Sequence, residues 1–118
     1  MIGVARLRNI TLDRVVAERV DRARSLWTRM VGLLSYGTIA PDLGLWFDRC
    51  SSIHTLGMRA TIDVIFLDAN SRVIDIRAGV RPNQLLVWNL RAKSLIELGS
   101  APHERPDLRI GDQLALEN

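Results

Sequence analysis

Ile62-Asp63-Val64-Ile65-Phe66-Leu67-Asp68-Ala69-Asn70-Ser71-Arg72-Val73-Ile74-Asp75-Ile76-Arg77 is the stretch that decides the fold. From Ile62 to Leu67 apolar side chains fall on both faces of an extended chain, with Asp63 as the one exception. That pattern marks a strand covered on both sides. Asp68-Ala69-Asn70-Ser71 follows, a cluster of residues that tolerate turn conformations and hydrogen-bond their own backbone. Arg72 to Arg77 then returns as the antiparallel partner, so the segment is a β-hairpin.

Working towards the N-terminus, Leu45-Trp46-Phe47 reads as a short strand entered through the Pro41-Asp42-Leu43-Gly44 turn and ending at Asp48-Arg49. Residues 3–8 and 14–20 carry two more strands, joined through the turn formers Asn9 to Asp13. After Asp21 the period changes. Ala23, Leu26, Trp27, Met30, Val31 and Leu34 recur at the spacing of one helix face, with Arg22, Arg24, Ser25, Thr28 and Arg29 opposite. The pattern predicts one main helix near residues 22–34, capped by the Asp21 carboxylate and weakened by Gly32 and Gly37.

Towards the C-terminus, Gly79 and Pro82 break the chain before an apolar segment from Leu85 to Leu90. Ser94 to Leu98 is another strand, Gly99 to Pro106 a loop, and Gln113 to Leu116 a closing strand. Short strands with turns between them and a single helix predict a β-rich α+β fold. Its sheet is expected to be curled and mostly antiparallel, barrel-like or sandwich-like. A doubly wound α/β fold needs more helices than this.

The chain of 118 residues suits one domain, residues 1–118, large enough to bury a core unaided. Its single cysteine, Cys50, can form no internal disulfide and reads first as a packing residue in a reducing compartment. No signal-peptide pattern opens the sequence, and no run of ~18 uncharged apolar residues occurs. The expectation is a cytoplasmic protein with no membrane partner. The net charge is +3, carried by arginines with Lys93 as the only lysine. Arg6, Arg8, Arg14, Arg19, Arg22, Arg24 and Arg29 crowd the first quarter, which could offer a basic face to an acidic partner. Interleaved Asp13, Glu18 and Asp21, and the lack of interleaved aromatics, argue against nucleic-acid binding.

The chemistry-bearing side chains concentrate in Cys50-Ser51-Ser52-Ile53-His54-Thr55-Leu56-Gly57-Met58-Arg59. Ser52, His54, Thr55, Arg59 and the nearby Asp63 could line a pocket for a small polar or anionic ligand. Arg59 would supply the charge, and His54 with the hydroxyls the orientation. The competing interpretation is a buried polar network in which Asp63 pairs with Arg59. A second function class is a hydrolase or thiol-dependent enzyme with His54 as acid or base and Cys50 or water as nucleophile. A third is an interaction protein using the arginine-rich first quarter. With only His54 and His103, and no paired ligand spacing, no metal site is expected, and no cofactor can be named. His103, between prolines and charges, reads as an exposed loop residue.

The run from Cys50 to Asp68, together with Gly32-Leu33-Leu34, Ile96-Glu97-Leu98 and Gly111-Asp112, resembles the bacterial and archaeal family known as domain of unknown function 192. The resemblance spans nearly the whole chain. Departures are Val31 where members often carry Arg, Ala60-Thr61 in place of Phe-Pro, and Pro102 to Pro106 where many members have an Ala-rich helix. The resemblance implies a small β-rich α+β domain and brings no established activity.

Overall fold

The computed structural model describes residues 5–23, 39–56, 58–84, 86–101 and 105–117. Through them run β1 (Ala5–Asn9), β2 (Arg14–Arg22), β3 (Leu43–Asp48), β4 (Ser52–Ile53), β5 (Ile62–Leu67), β6 (Val73–Val80), β7 (Val87–Trp88), β8 (Ser94–Gly99) and β9 (Leu114–Glu117). One sheet has the order β6-β5-β8-β3-β2-β1-β9, and β4 pairs with β7 in a separate ribbon. All pairings are antiparallel except β2 with β3.

The hairpin forms as its residues require. Asp68 Oδ1 accepts the backbone N–H groups of Asn70 at 2.8 Å and Arg72 at 3.0 Å, and Ser71 takes the left-handed conformation at φ 60°. This side chain replaces the strand ladder across the turn. Every residue of β5 is buried, and so is every residue of its neighbour β8. Alternation then builds two cores. Ile65, Leu67, Trp46, Ile96 and Leu98 pack on one face with Leu7, Val20 and Leu114. Ile62, Val64, Phe66, Leu45, Phe47 and Leu95 pack on the other. The cover on that second face is the polar stretch itself, through Ile53, Met58 and Ala60, together with Val87 of β7 and Ala92. Each such aliphatic or aromatic side chain taken fully from water contributes about 1.5–3 kcal/mol, so the ribbon is held by its inward apolar residues.

The α+β expectation is overturned: among the described residues there is no helix, and the architecture is all-β. Asp21 and Arg22, read as a helix cap and first turn, continue β2 and pair with Leu45 and Trp46 of β3. The Ala23 N–H extends that ladder to Trp46 O at 2.9 Å. Hydrogen bonds to a strand distant in sequence override the local 3.6-residue period. The remainder of the expected helix, residues 24–34, lies outside the described residues.

The barrel expectation fails too. The edge strands β6 and β9 approach at one end, where the Val73 N–H reaches Asp112 O and the Leu114 N–H reaches Ser71 O. They share only the isolated Arg72–Gln113 bridge, whereas closure needs a continuous ladder between the two edges. β9 instead pairs along β1 and β6 along β5, leaving the sheet open. At the far end of β8, a Cβ on Gly99 would collide with the carbonyl oxygens of Ile39 and Ala40, so only glycine lets that backbone lie against the strand. No helix among the described residues is long and apolar enough to cross a membrane.

Candidate functional site

The ribbon divides the polar motif by strand alternation. Ser52 pairs with Trp88 and Ile53 with Val87. Ile53 and Val87 turn into the core, so Ser52 and Trp88 must turn away from it. His54 and Leu86, the next residue on each side, are exposed as well. Of the six large apolar side chains exposed among the described residues, Leu56, Leu86, Trp88 and Leu90 belong to this ribbon and its ends. A shallow groove of about 380 Å³ lies among Arg77, Leu86, Trp88, Asn89 and Leu90.

The His54 ring is set by its own loop. Nδ1 accepts the Leu56 N–H at 3.3 Å, so in the neutral ring the proton sits on Nε2 and that N–H is left to donate. Thr55 has the opposite fate. It is fully buried, its hydroxyl donates to Arg81 O and accepts the Gln84 N–H, both at 2.8 Å. Its own N–H donates to Gln84 O at 3.0 Å, and its carbonyl accepts from Asn83 at 2.8 Å and Met58 at 3.1 Å. Thr55 is therefore the pin that fastens the 81–84 loop to the motif.

Asp63 is also buried and also fully occupied, but elsewhere. Oδ1 accepts the Gly79 N–H at 2.9 Å; Oδ2 accepts Ala101 N–H at 3.2 Å and Arg105 Nε at 2.8 Å. The Arg105 fork continues to the carbonyl oxygens of Pro41 and Gly99. The partner of Asp63 is thus Arg105 and not Arg59, which is exposed. Of the five residues read as one pocket, Ser52 and His54 share the outward face of the ribbon. Arg59 is exposed after the turn closed by Met58, while Thr55 and Asp63 are sealed into separate structural ties.

Cys50 is half-buried, and its thiol donates to Ser52 O at 3.1 Å. Burial raises its pKa, the hydrogen bond to Ser52 lowers it, and the nearby Glu97 raises it further. A thiol held protonated is a poor nucleophile. In the arginine-rich first quarter, Arg6 pairs with Glu18, Arg8 with Asp13 and Glu117, and Arg22 with Asp48. Arg24, Arg29 and His103 lie outside the described residues, and no cluster that could hold a metal ion occurs among the described ones.

Residues 9–116 match the domain of unknown function 192, described as an uncharacterized ACR. The chain belongs to this family. UPF0127 proteins of Pyrococcus furiosus and Pyrococcus horikoshii are each 36% identical to this DUF192 chain over 64 residues. The chain spans about half the length of these curated relatives, 54% and 55%. A Sinorhizobium meliloti protein, described provisionally as a transcription regulator, superimposes with a TM-score of 0.79 at 21% identity, over 98% of this chain and 95% of that one. A protein of unknown function from Novosphingobium aromaticivorans does so with a TM-score of 0.75 at 18% identity, over 97% and 84%. At these identities the likeness is one of fold alone.

One residue of the DUF192 chain escaped the functional reading of the sequence. Glu97, at the middle of β8, is 1% exposed, and neither of its carboxylate oxygens has a hydrogen-bond partner among the described residues. Burial alone pushes its pKa up to about 7. It stands opposite Leu45 and Val64, on the face of the sheet that the motif covers. The signal was available: a single charge inside Ser94-Leu95-Ile96-Glu97-Leu98, where both faces are apolar.

Proposed function

We propose that this DUF192 chain is a small binding module that docks an acidic, partly apolar peptide segment of a partner protein on the outward face of the β4–β7 ribbon, with His54 in that face. The observation that carries the reading is the concentration of Leu56, Leu86, Trp88 and Leu90 on one exposed ribbon, beside polar groups with bonding capacity to spare. Exposed apolar patches rimmed by polar residues mark interaction sites, and Trp with Leu supplies the buried anchors such sites use. Charge selects the partner. Arg81 and Arg91 flank the 86–90 segment and Arg59 follows the motif, all exposed and without an ion pair among the described residues. No acid is among the described residues lining the groove, and Asp75, which meets it through Arg77 at 2.8 Å and Asn89 at 3.3 Å, is already engaged by both. A concave groove with hydrogen-bonding groups favours a peptide's side chains over a flat lipid surface.

Selection from a displayed peptide library tests this. The expected result is enrichment of sequences that interleave Asp or Glu with large apolar residues, weakened by salt. The enrichment should disappear on Trp88→Ser, Leu86→Ser and His54→Ala, which leave the core intact. No enrichment, or equal enrichment on the parent and the variants, overturns the proposal. So does preferential binding of the parent to anionic phospholipid vesicles.

A further inference from the structure

A second concavity forms at the C-terminal end of β3, a cleft of about 590 Å³ between that end, the start of β8 and the 68–71 turn. Arg22, Asp48, Arg49, Asp68, Lys93 and Ser94 are among its lining residues. Three of its described lining residues are cations and two are carboxylates, and one ion pair, Arg22 with Asp48, forms among them. Asp48 is engaged on both oxygens, by Trp46 Nε1 at 3.0 Å and by the guanidinium of Arg22, which lies over the Trp46 ring at 5.5 Å. Asp68 spends Oδ1 on the backbone of its own turn. Arg49 and Lys93 are left exposed, with no ion pair or side-chain hydrogen bond among the described residues. The cleft therefore presents two cations without an ion-pair partner among the described residues, beside one acid paired with Arg22 and one, Asp68, whose Oδ1 is tied to its own turn.

Both cations stand on fixed backbone. Lys93 donates its N–H to Leu67 O at 2.8 Å and accepts the Cys50 N–H at 3.2 Å, so it is stitched to both neighbouring segments. Arg49 sits at φ 51°, a left-handed conformation that a residue with a Cβ enters at a cost and that glycine would adopt freely. An arginine kept where glycine would be more stable is a mark of a site that uses its side chain.

We infer that this cleft is a binding site for a phosphate-bearing small molecule, held by the Arg49 guanidinium and the Lys93 ammonium. A guanidinium can bind two phosphate oxygens at once, an ammonium adds a point charge, and together they match the double charge of a phosphate monoester. The ribbon face plays no part in this site, so the inference stands or falls apart from the peptide-docking proposal.

Amide spectra of the ¹⁵N-labelled chain, titrated with glycerol phosphate and separately with inorganic phosphate at constant ionic strength, test it. The expected result is saturable shifts in the amides of residues 48–49, 68–71 and 93–94 for glycerol phosphate. Tighter binding of inorganic phosphate would make the free anion the ligand and overturn the small-molecule assignment. Lys93→Gln and Arg49→Gly should each weaken binding about tenfold, the scale of one charge-assisted hydrogen bond. Arg49→Gly should do so without lowering the thermal midpoint, because it relieves the backbone. Shifts that chloride reproduces, that spread over the whole surface, or that survive both substitutions unchanged contradict the inference, and so does an absence of shifts at tens of millimolar ligand.

Discussion

Two regions of this molecule use the same kinds of polar residue to opposite ends. Thr55, on the inner side of the cover, and the Asp63–Arg105 pair, on the opposite face of the sheet, have every polar atom engaged. On the outer side, Ser52 and His54 lie beside exposed Trp88 and Leu86. The difference teaches that a polar residue's place in the fold is told by what remains unbonded. The engaged groups tie parts of the chain together, Thr55 the motif to the 81–84 loop and Asp63 the strand β5 to Gly79, Ala101 and Arg105; the outer ones are left for something that is not part of the chain. Glu97 sharpens the contrast, since it is as buried as Asp63 yet has no partner among the described residues.

The hardest blow to the engaged groups is Arg105→Met. It strands the Asp63 carboxylate, whose side chain is 4% exposed, and should cost about 3–5 kcal/mol in urea unfolding at neutral pH. Combining it with Asp63→Leu should recover part of that loss, because the unpaired charge is the main penalty. No recovery would mean that the Asp63 bonds to Gly79 and Ala101 matter more than the ion pair.

Glu97 should show itself through pH. Its folded-state pKa of about 7 lies above the ordinary carboxylate value of 4.5, so between these values the folded state holds a proton that the unfolded chain has released. Stability is then greatest below pH 4.5 as far as this group is concerned. It falls as the pH rises towards 7 and levels off above, by about 3 kcal/mol in all. Glu97→Gln should flatten that slope and leave the variant more stable than the parent at pH 8. An unchanged slope would show that the carboxylate finds a partner in solution.

Thr55→Val keeps the shape and removes the hydroxyl, leaving Arg81 O and the Gln84 N–H without their partner. The expected loss is about 1–3 kcal/mol by chemical denaturation. Amide exchange should quicken first at residues 81–84, since that loop depends on the pin.

Much of this architecture was legible in the sequence. The 62–77 hairpin follows from an apolar run, a turn and its return, all local. The strand through Asp21 and Arg22 was not, because its partner is β3, on the far side of a long connection that no periodicity reports. The grouping of the candidate site residues was illegible for another reason. His54 and Thr55 were read as neighbours in a pocket, but in an extended chain adjacent residues face opposite ways, and that inference was available from their spacing alone. The pairing of Asp63 with Arg105, 42 residues away, was beyond any local reading.

The division of the motif into a structural inner side and a free outer side is tested most directly by the urea-unfolding free energy of His54→Ala. Exposed, and bonded among the described residues only to the N–H of its own loop, His54 should be removable with a change within about 0.5 kcal/mol, the scale of an ordinary surface substitution. A loss of about 2 kcal/mol or more would place His54 among the ties that hold the cover and contradict the reading of the ribbon as a docking face.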